Sequence, residues 1–183
     1  MLAWLSLTLL LLFSGAGFCS VKAQEPPQSE ALCAFCNPEI LEAQVYYEGS
    51  TALVLLTHQP IYPGHSLIIP KRHVEALHEL TDEEAAELFH LVQLIQAAMQ
   101  KAYGVEAYFL AQKNHLAWQS VPHVHLHYIP IPAEHGSFSR FCGNSLWSLV
   151  TSRLTREEMQ SLGAQLRAAM ESSAALSSHY ATS

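Results

Sequence analysis

Positive charge is what this sequence has least of. Its 183 residues include 9 Lys and Arg against 16 Asp and Glu, a formal charge of −7. A protein built for a nucleic-acid polymer needs a basic stripe to displace counterions from phosphates, and none can be drawn here. Cysteine is sparse as well, with 4 in the chain. Neither a Gly-rich P-loop nor a Gly-x-Gly-x-x-Gly turn occurs, so a bound nucleotide would not be held at a helix N-terminus of those kinds. The longest apolar stretch, residues 2–18, is interrupted by Ser and Gly. It falls short of the roughly 20 residues that span a bilayer comfortably.

That stretch reads as a secretory signal. Val21-Lys22-Ala23 before Gln24 is a small-x-small cleavage pattern, which predicts removal of residues 1–23 and an exported domain, periplasmic or secreted. An uncleaved anchor is the alternative. Lipidation at Cys19 is disfavoured by bulky Phe18. Cleavage would leave Cys33, Cys36 and Cys142, an odd number that suits no disulfide framework. It would also leave so few cations that phosphate binding is expected to lean on imidazoles and backbone amides. No membrane contact is expected after cleavage.

Residues 24–32 form a polar linker. Gln44–Glu48 and Thr51–Thr57 read as a hairpin about Gly49-Ser50, and Ser66–Ile69 as a third strand after a Pro63-Gly64 turn of type II. Asp82–Tyr103 is the strongest helix signal. Thr81 and Glu84 form a capping box, Gly104 suits the C-terminal cap, and Leu88, Leu91, Val92, Ile95 and Met99 mark its core face. Val105–Gln112 and His123–Ile131 read as two more strands. A last helix starts at Thr155 with Glu158 as its capping partner and buries Met159, Leu162, Leu166 and Met170. The order predicts an α+β domain with a mostly antiparallel sheet of about five strands, one long central helix and a C-terminal helix. Residues 33–135 would be the domain proper and 136–183 a helical extension. The acidic run Asp82–Glu84 with Glu87 reads as a solvated helix start favoured by the helix dipole.

Histidine is what the chain has in excess, with 11. In His123-Val-His125-Leu-His127 three imidazoles recur at every second position. On a strand they share one face, roughly 7 Å apart, while Val124, Leu126 and Tyr128 point into a core. Imidazole titrates near neutrality and serves as nucleophile, general base or metal ligand. Of the others, His78 and His90 read as surface residues, and His135 and His179 as residues of loops or tails. His58 and His115 read as ordinary loop residues that could line a pocket.

The run Gln119-Ser-Val-Pro-His123-Val-His125-Leu-His127-Tyr-Ile-Pro130 resembles the signature of the histidine triad (HIT) nucleotide hydrolases and transferases. The resemblance extends to Pro63-Gly-His65-Ser-Leu-Ile-Ile-Pro70-Lys-Arg-His73, Leu80-Thr-Asp-Glu-Glu84 and Cys33-Ala-Phe-Cys36. It implies a small-molecule nucleotide substrate attacked at its α-phosphorus by the middle histidine, His125. A nucleotidyl-histidine would form as a phosphoramidate or phosphoanhydride bond breaks. His127, His65 and Ser120 would complete the catalytic set, and Asn114, Gln119 and Thr57 would add nucleotide contacts. Some bacterial HIT proteins use four residues matching Cys33, Cys36, His73 and His123 as zinc ligands, so the resemblance implies structural Zn²⁺. A Cys33–Cys36 disulfide remains the alternative. It also implies a homodimer that joins two five-stranded sheets. The chain departs from the family in the loop before the triad: Asn114-His-Leu-Ala-Trp118-Gln119 is shorter than the usual Asn-x-Gly…Ala-Gly-Gln, and Trp118 stands where glycine is common. Two other readings follow from these residues: a non-catalytic metal module, and a degenerate HIT fold that only binds a ligand.

Overall fold

The computed structural model describes residues 32–114, 120–150 and 153–180. Residues 1–31, on which the signal and most of the linker were read, lie outside the described residues. The central element is one antiparallel sheet of five strands: β1 (Val45–Glu48), β2 (Ala52–Leu56), β3 (Ser66–Pro70), β4 (Ala107–Gln112) and β5 (Leu126–Ile131), in the order β1-β2-β3-β5-β4. Four helices accompany it: α1 (Pro38–Gln44), α2 (Asp82–Tyr103), α3 (Phe138–Ser148) and α4 (Arg156–Tyr180). Among the described residues no helix is long and apolar enough to cross a membrane.

The long helix has the predicted bounds because its ends are chemically specified. Thr81 Oγ1 accepts from the Glu84 N–H at 3.2 Å, and the Glu84 carboxylate accepts from the Thr81 N–H at 2.9 Å. Gly104 ends the helix at φ 65°, donating its N–H to the Gln100 carbonyl. Thr155 and Glu158 form the same reciprocal pair before α4. Two helices were not foreseen. In α1, Asn37 caps the helix and Pro38 occupies its first turn. This signal was legible but short. In α3, Ser137 accepts from the Arg140 N–H.

Strand alternation sorts the core into two faces. Ala52, Val54, Leu56, Ile68, Val124, Leu126 and Tyr128 share one cluster with Leu88, Leu91, Val92, Ile95 and Met99 of α2. Met159, Leu166 and Met170 of α4 are buried in that cluster, and Leu162 packs partly buried against it. Leu55, Leu67 and Ile69 point the other way, toward Cys33 and Phe35. The imidazoles lie on this second side.

The last strand starts later than predicted. His123, Val124 and His125 precede the ladder, which begins at Leu126. The Val124 N–H is taken by the Val74 carbonyl at 2.7 Å, so this stretch ties to the segment after β3 and is not part of the strand pairing. The start of β4 also moves, to Ala107.

The acidic helix start is not simply solvated. Glu84 is buried and takes the Arg72 guanidinium on both oxygens, at 3.0 and 2.7 Å. That guanidinium holds the Glu84 carboxyl below the usual carboxylate range despite burial. Glu87 reaches the β1–β2 turn, accepting from the Ser50 and Thr51 N–H groups at 2.6 and 2.7 Å and from both hydroxyls. Burial pushes its carboxyl up, but these bonds outweigh it and leave it below its ordinary value.

Candidate active site and metal centre

A turn places the first imidazole. Pro63 and Gly64 occupy the middle of a four-residue turn closed by the His65 N–H on the Tyr62 carbonyl at 3.0 Å. Gly64 has φ 89°, a conformation that favours glycine, and a Cβ there would sit 2.9 Å from Met99 Cε, so the end of that side chain would have to shift. His65 leaves this turn buried at the start of β3. Its Nδ1 accepts the Ile61 N–H at 3.2 Å, so its proton must lie on Nε2. That Nε2–H donates to His127 Nδ1 at 3.0 Å. By the same accounting the proton of neutral His127 is on Nε2, which is buried and has no hydrogen-bond partner among the described residues.

His125 is fixed by its own chain. Its Nδ1–H donates to the His123 carbonyl at 2.6 Å, which makes Nε2 the unprotonated ring nitrogen that carries the lone pair. The His125 and His127 rings lie 5.0 Å apart edge to face, closer than the strand repeat alone suggested. Phe35 sets an edge against His125 at 5.4 Å. The result is one imidazole presenting a lone pair beside another whose N–H has no partner among the described residues, the pairing needed for a nucleophile and a hydrogen-bond donor to the reacting group.

All of these rings are held neutral more firmly than the near-neutral expectation supposed. Burial pulls His65 down to about 4. It pulls His127 to about 3, with repulsion from His125, His65 and Lys113 adding to the effect. Burial also lowers His125, against the opposing pull of the His123 carbonyl.

Lys113 was missed by reading the sequence. The pairing of Gln112 with Leu126, continued by one residue, sets Lys113 level with His125, and its charge acts on both His125 and His127. Lys113 is thus the one cation whose charge acts on the triad among the described residues. The signal was available in the β4–β5 register, which requires knowing how the two strands pair. Among the other named residues, Asn114 and Ser120 are exposed at either side of the triad loop, and Gln119, with Trp118, lies outside the described residues. Thr57 is buried at the end of β2, where its hydroxyl accepts the Gln59 N–H at 3.4 Å. His78 and His90 are exposed, as read. The apolar hollow of about 390 Å³ behind Gly64 is lined by Met99, Tyr103 and Leu166 and contains no imidazole.

A second constellation adjoins the first. The turn closed by the Cys36 N–H on the Cys33 carbonyl brings both cysteines, which are not joined in a disulfide, toward His73 and His123. Cys33 Sγ and Cys36 Sγ lie 3.4 and 3.7 Å from His123 Nδ1, and Cys36 Sγ lies 3.4 Å from His73 Nδ1. The four ligand atoms fall within 4.8 Å of one another. A tetrahedral zinc ion with Zn–S about 2.3 Å and Zn–N about 2.0 Å has ligand–ligand edges of roughly 3.3–3.8 Å, so the set needs little contraction. His123 Nε2–H donates to the Pro70 carbonyl at 3.0 Å, and His73 Nε2 faces Glu75 Oε1 at 3.5 Å. Both rings therefore present Nδ1, and the Pro70 carbonyl orients His123 as an outer oxygen orients a metal-bound imidazole; His73 Nε2 has no hydrogen-bond partner among the described residues. Among the described residues this is the one cluster able to hold a metal, and it excludes His125 and His127.

A five-stranded antiparallel sheet, with alternating imidazoles entering its fourth-ordered strand and a histidine after a Pro-Gly turn beside them, defines the class. The chain belongs to the HIT family: the HIT domain model matches residues 38–133. It is 38% identical over 107 residues to an adenosine 5'-monophosphoramidase of Schizosaccharomyces pombe, covering 56% of this chain and 76% of that one. The same organism's asymmetrical bis(5'-nucleosyl)-tetraphosphatase is 37% identical, covering 48% of this chain and 49% of its own length. Among solved structures, a zinc-bound histidine triad protein from Mycobacterium smegmatis superposes with a TM-score of 0.59 at 28% identity, covering 82% of this chain and 99% of that one.

Proposed function

We propose that this protein is a nucleotidyl hydrolase or transferase that cleaves a phosphoramidate or phosphoanhydride bond at an α-phosphorus through a nucleotidyl-His125 intermediate. The observation that carries this reading is the tautomer chain. His125 Nδ1–H is committed to the His123 carbonyl, which leaves Nε2 unprotonated to attack, and Ile61 N–H, His65 and His127 together end beside it in an N–H with no partner among the described residues. The His125 Nε2–phosphorus bond forms as the bond to the leaving nitrogen or oxygen breaks; the His127 Nε2–H donates a hydrogen bond to that atom, which takes its proton from solvent. Water then displaces His125 from phosphorus, restoring the neutral imidazole and releasing the proton to solvent. The names of the relatives support both bond types.

The Cys33, Cys36, His73 and His123 set would hold a structural Zn²⁺, which when bound fixes the polypeptide around the triad and takes no part in the chemistry. The zinc-bound relative supports this choice of metal. The protein acts as a homodimer joined along the free edge of β4, where Tyr108 and Phe109 are exposed. It acts outside the cytoplasm, after cleavage at Ala23. A module in which the triad itself binds metal is disfavoured, because His125 and His127 stand outside the ligand cluster.

Assaying adenosine 5'-phosphoramidate and a diadenosine polyphosphate side by side, with the protein and its His125→Ala variant, tests the proposal. Turnover of either substrate, lost in the variant, is expected. Undiminished turnover in the variant would reject the mechanism, and no turnover of either substrate by the unaltered protein would reject the activity.

A further inference from the structure

The helix α3 wears its apolar side outward. It is attached through Phe141, whose ring lies 5.0 Å from Phe109 of β4, and its one buried residue is a serine, Ser148. Gln59 Nε2 donates to the Ser148 carbonyl, and the Leu154 N–H donates to the His58 carbonyl at 2.8 Å, so the helix end is fixed to the β2–β3 loop. Meanwhile Phe138, Leu146, Trp147, Leu149 and Val150 are 68–79 % exposed. An apolar group of this size, presented on a fixed helix and the turn that follows it, marks a binding surface.

Charge tells what covers it. Between Glu134 and Glu157 there is no carboxylate, and three of the chain's 9 cations, Arg140, Arg153 and Arg156, fall in that interval. None of the three is ion-paired among the described residues. In a chain of net −7 this is a local reversal of sign. A second copy packed through this patch about a two-fold axis would set each arginine cluster against its mate, because such an interface places one surface against itself. A surface with Trp, Phe and Leu flanked by arginines suits a bilayer interface, where the rings and aliphatic groups sit among acyl chains and the guanidinium groups meet phosphate headgroups.

We propose that the α3 surface, centred on Leu146, Trp147, Leu149 and Val150, docks the protein on an anionic lipid bilayer. The catalytic reading is independent of this surface, and the expectation that the mature chain makes no membrane contact is replaced by it. The chain from Gln24 onward contains every described element and lacks the apolar N-terminal run, so it isolates the patch. Its co-sedimentation would be measured with phosphatidylcholine vesicles containing about one-third phosphatidylglycerol, and with phosphatidylcholine alone.

Binding is expected on the anionic vesicles, weakening as salt rises. The Trp147→Ser, Leu149→Ser double variant is expected to lose about tenfold or more of it while keeping wild-type turnover of a soluble substrate. Replacing Arg140, Arg153 and Arg156 by Gln is expected to erase the preference for the anionic vesicles. Absence of vesicle binding, or binding unchanged in the double variant, would overturn the proposal. So would a self-association that the double variant abolishes, which would assign the patch to a second copy.

Discussion

His65 offers a perturbation whose size follows from its surroundings. Burial lowers it from 6.5 to about 4, so the unfolded chain takes up a proton near pH 6.5 while the folded protein resists until about pH 4. The stability tied to the neutral ring is fully present above pH 6.5 and is lost progressively as pH falls toward 4. At 1.36 kcal/mol per pH unit, the loss approaches about 3 kcal/mol. Glutamine at this position keeps an N–H near Nε2 to donate to His127 and does not titrate. Urea unfolding of the protein and of His65→Gln at about pH 7.5 and about pH 4.5 isolates the effect, because the other buried imidazoles are common to both. The variant is expected to start less stable at neutral pH but to lose about 2–3 kcal/mol less on acidification. Equal acid losses in the two proteins would refute the burial argument for His65.

Other consequences are checked as directly. Lys113→Gln should raise KM for a dinucleoside polyphosphate about three- to tenfold with a smaller effect on kcat, since an exposed cation beside the triad acts mainly on the anionic substrate; unchanged KM would remove it from the site. Gly64→Ala should cost about 1–3 kcal/mol in thermal or urea unfolding, from its φ of 89° and the contact with Met99. Glu84→Gln should destabilise the fold by about 1–3 kcal/mol at neutral pH. Because the Glu84 carboxyl is held low, the wild-type advantage should persist above the ordinary carboxylate range and vanish as pH falls through its depressed value. Cys33→Ala should abolish a one-to-one zinc content and lower the unfolding temperature, whereas His125→Ala should retain the metal.

The sequence was most legible where chemistry is local. Thr81, Glu84 and Gly104 specify the long helix within itself, Pro63-Gly64 specifies the turn that aims His65, and strand alternation sends Leu126 and Tyr128 into the core. It was least legible where the determinant is a distant partner. The ladder of β5 starts late because Val74 takes the Val124 N–H, and no periodicity within 123–131 records that. Glu84 and Glu87 look like surface acids until Arg72 and the Ser50-Thr51 turn are brought to them. Lys113 acquires its meaning only from the register of β4 on β5. The metal set was legible through resemblance, since Cys33 and His123 lie far apart in sequence and nothing local brings them together.

The central claim is that His125 Nε2 is the atom that bonds to phosphorus. Mixing the protein with adenosine 5'-phosphoramidate, quenching under conditions that preserve phosphorus–nitrogen bonds and mapping the product by mass spectrometry tests it. An adenylyl group on the peptide containing His123, His125 and His127, localised to His125 and lost in His125→Ala, is the predicted result. An adduct localised to His127 or His65, or turnover that persists in His125→Ala, would contradict it.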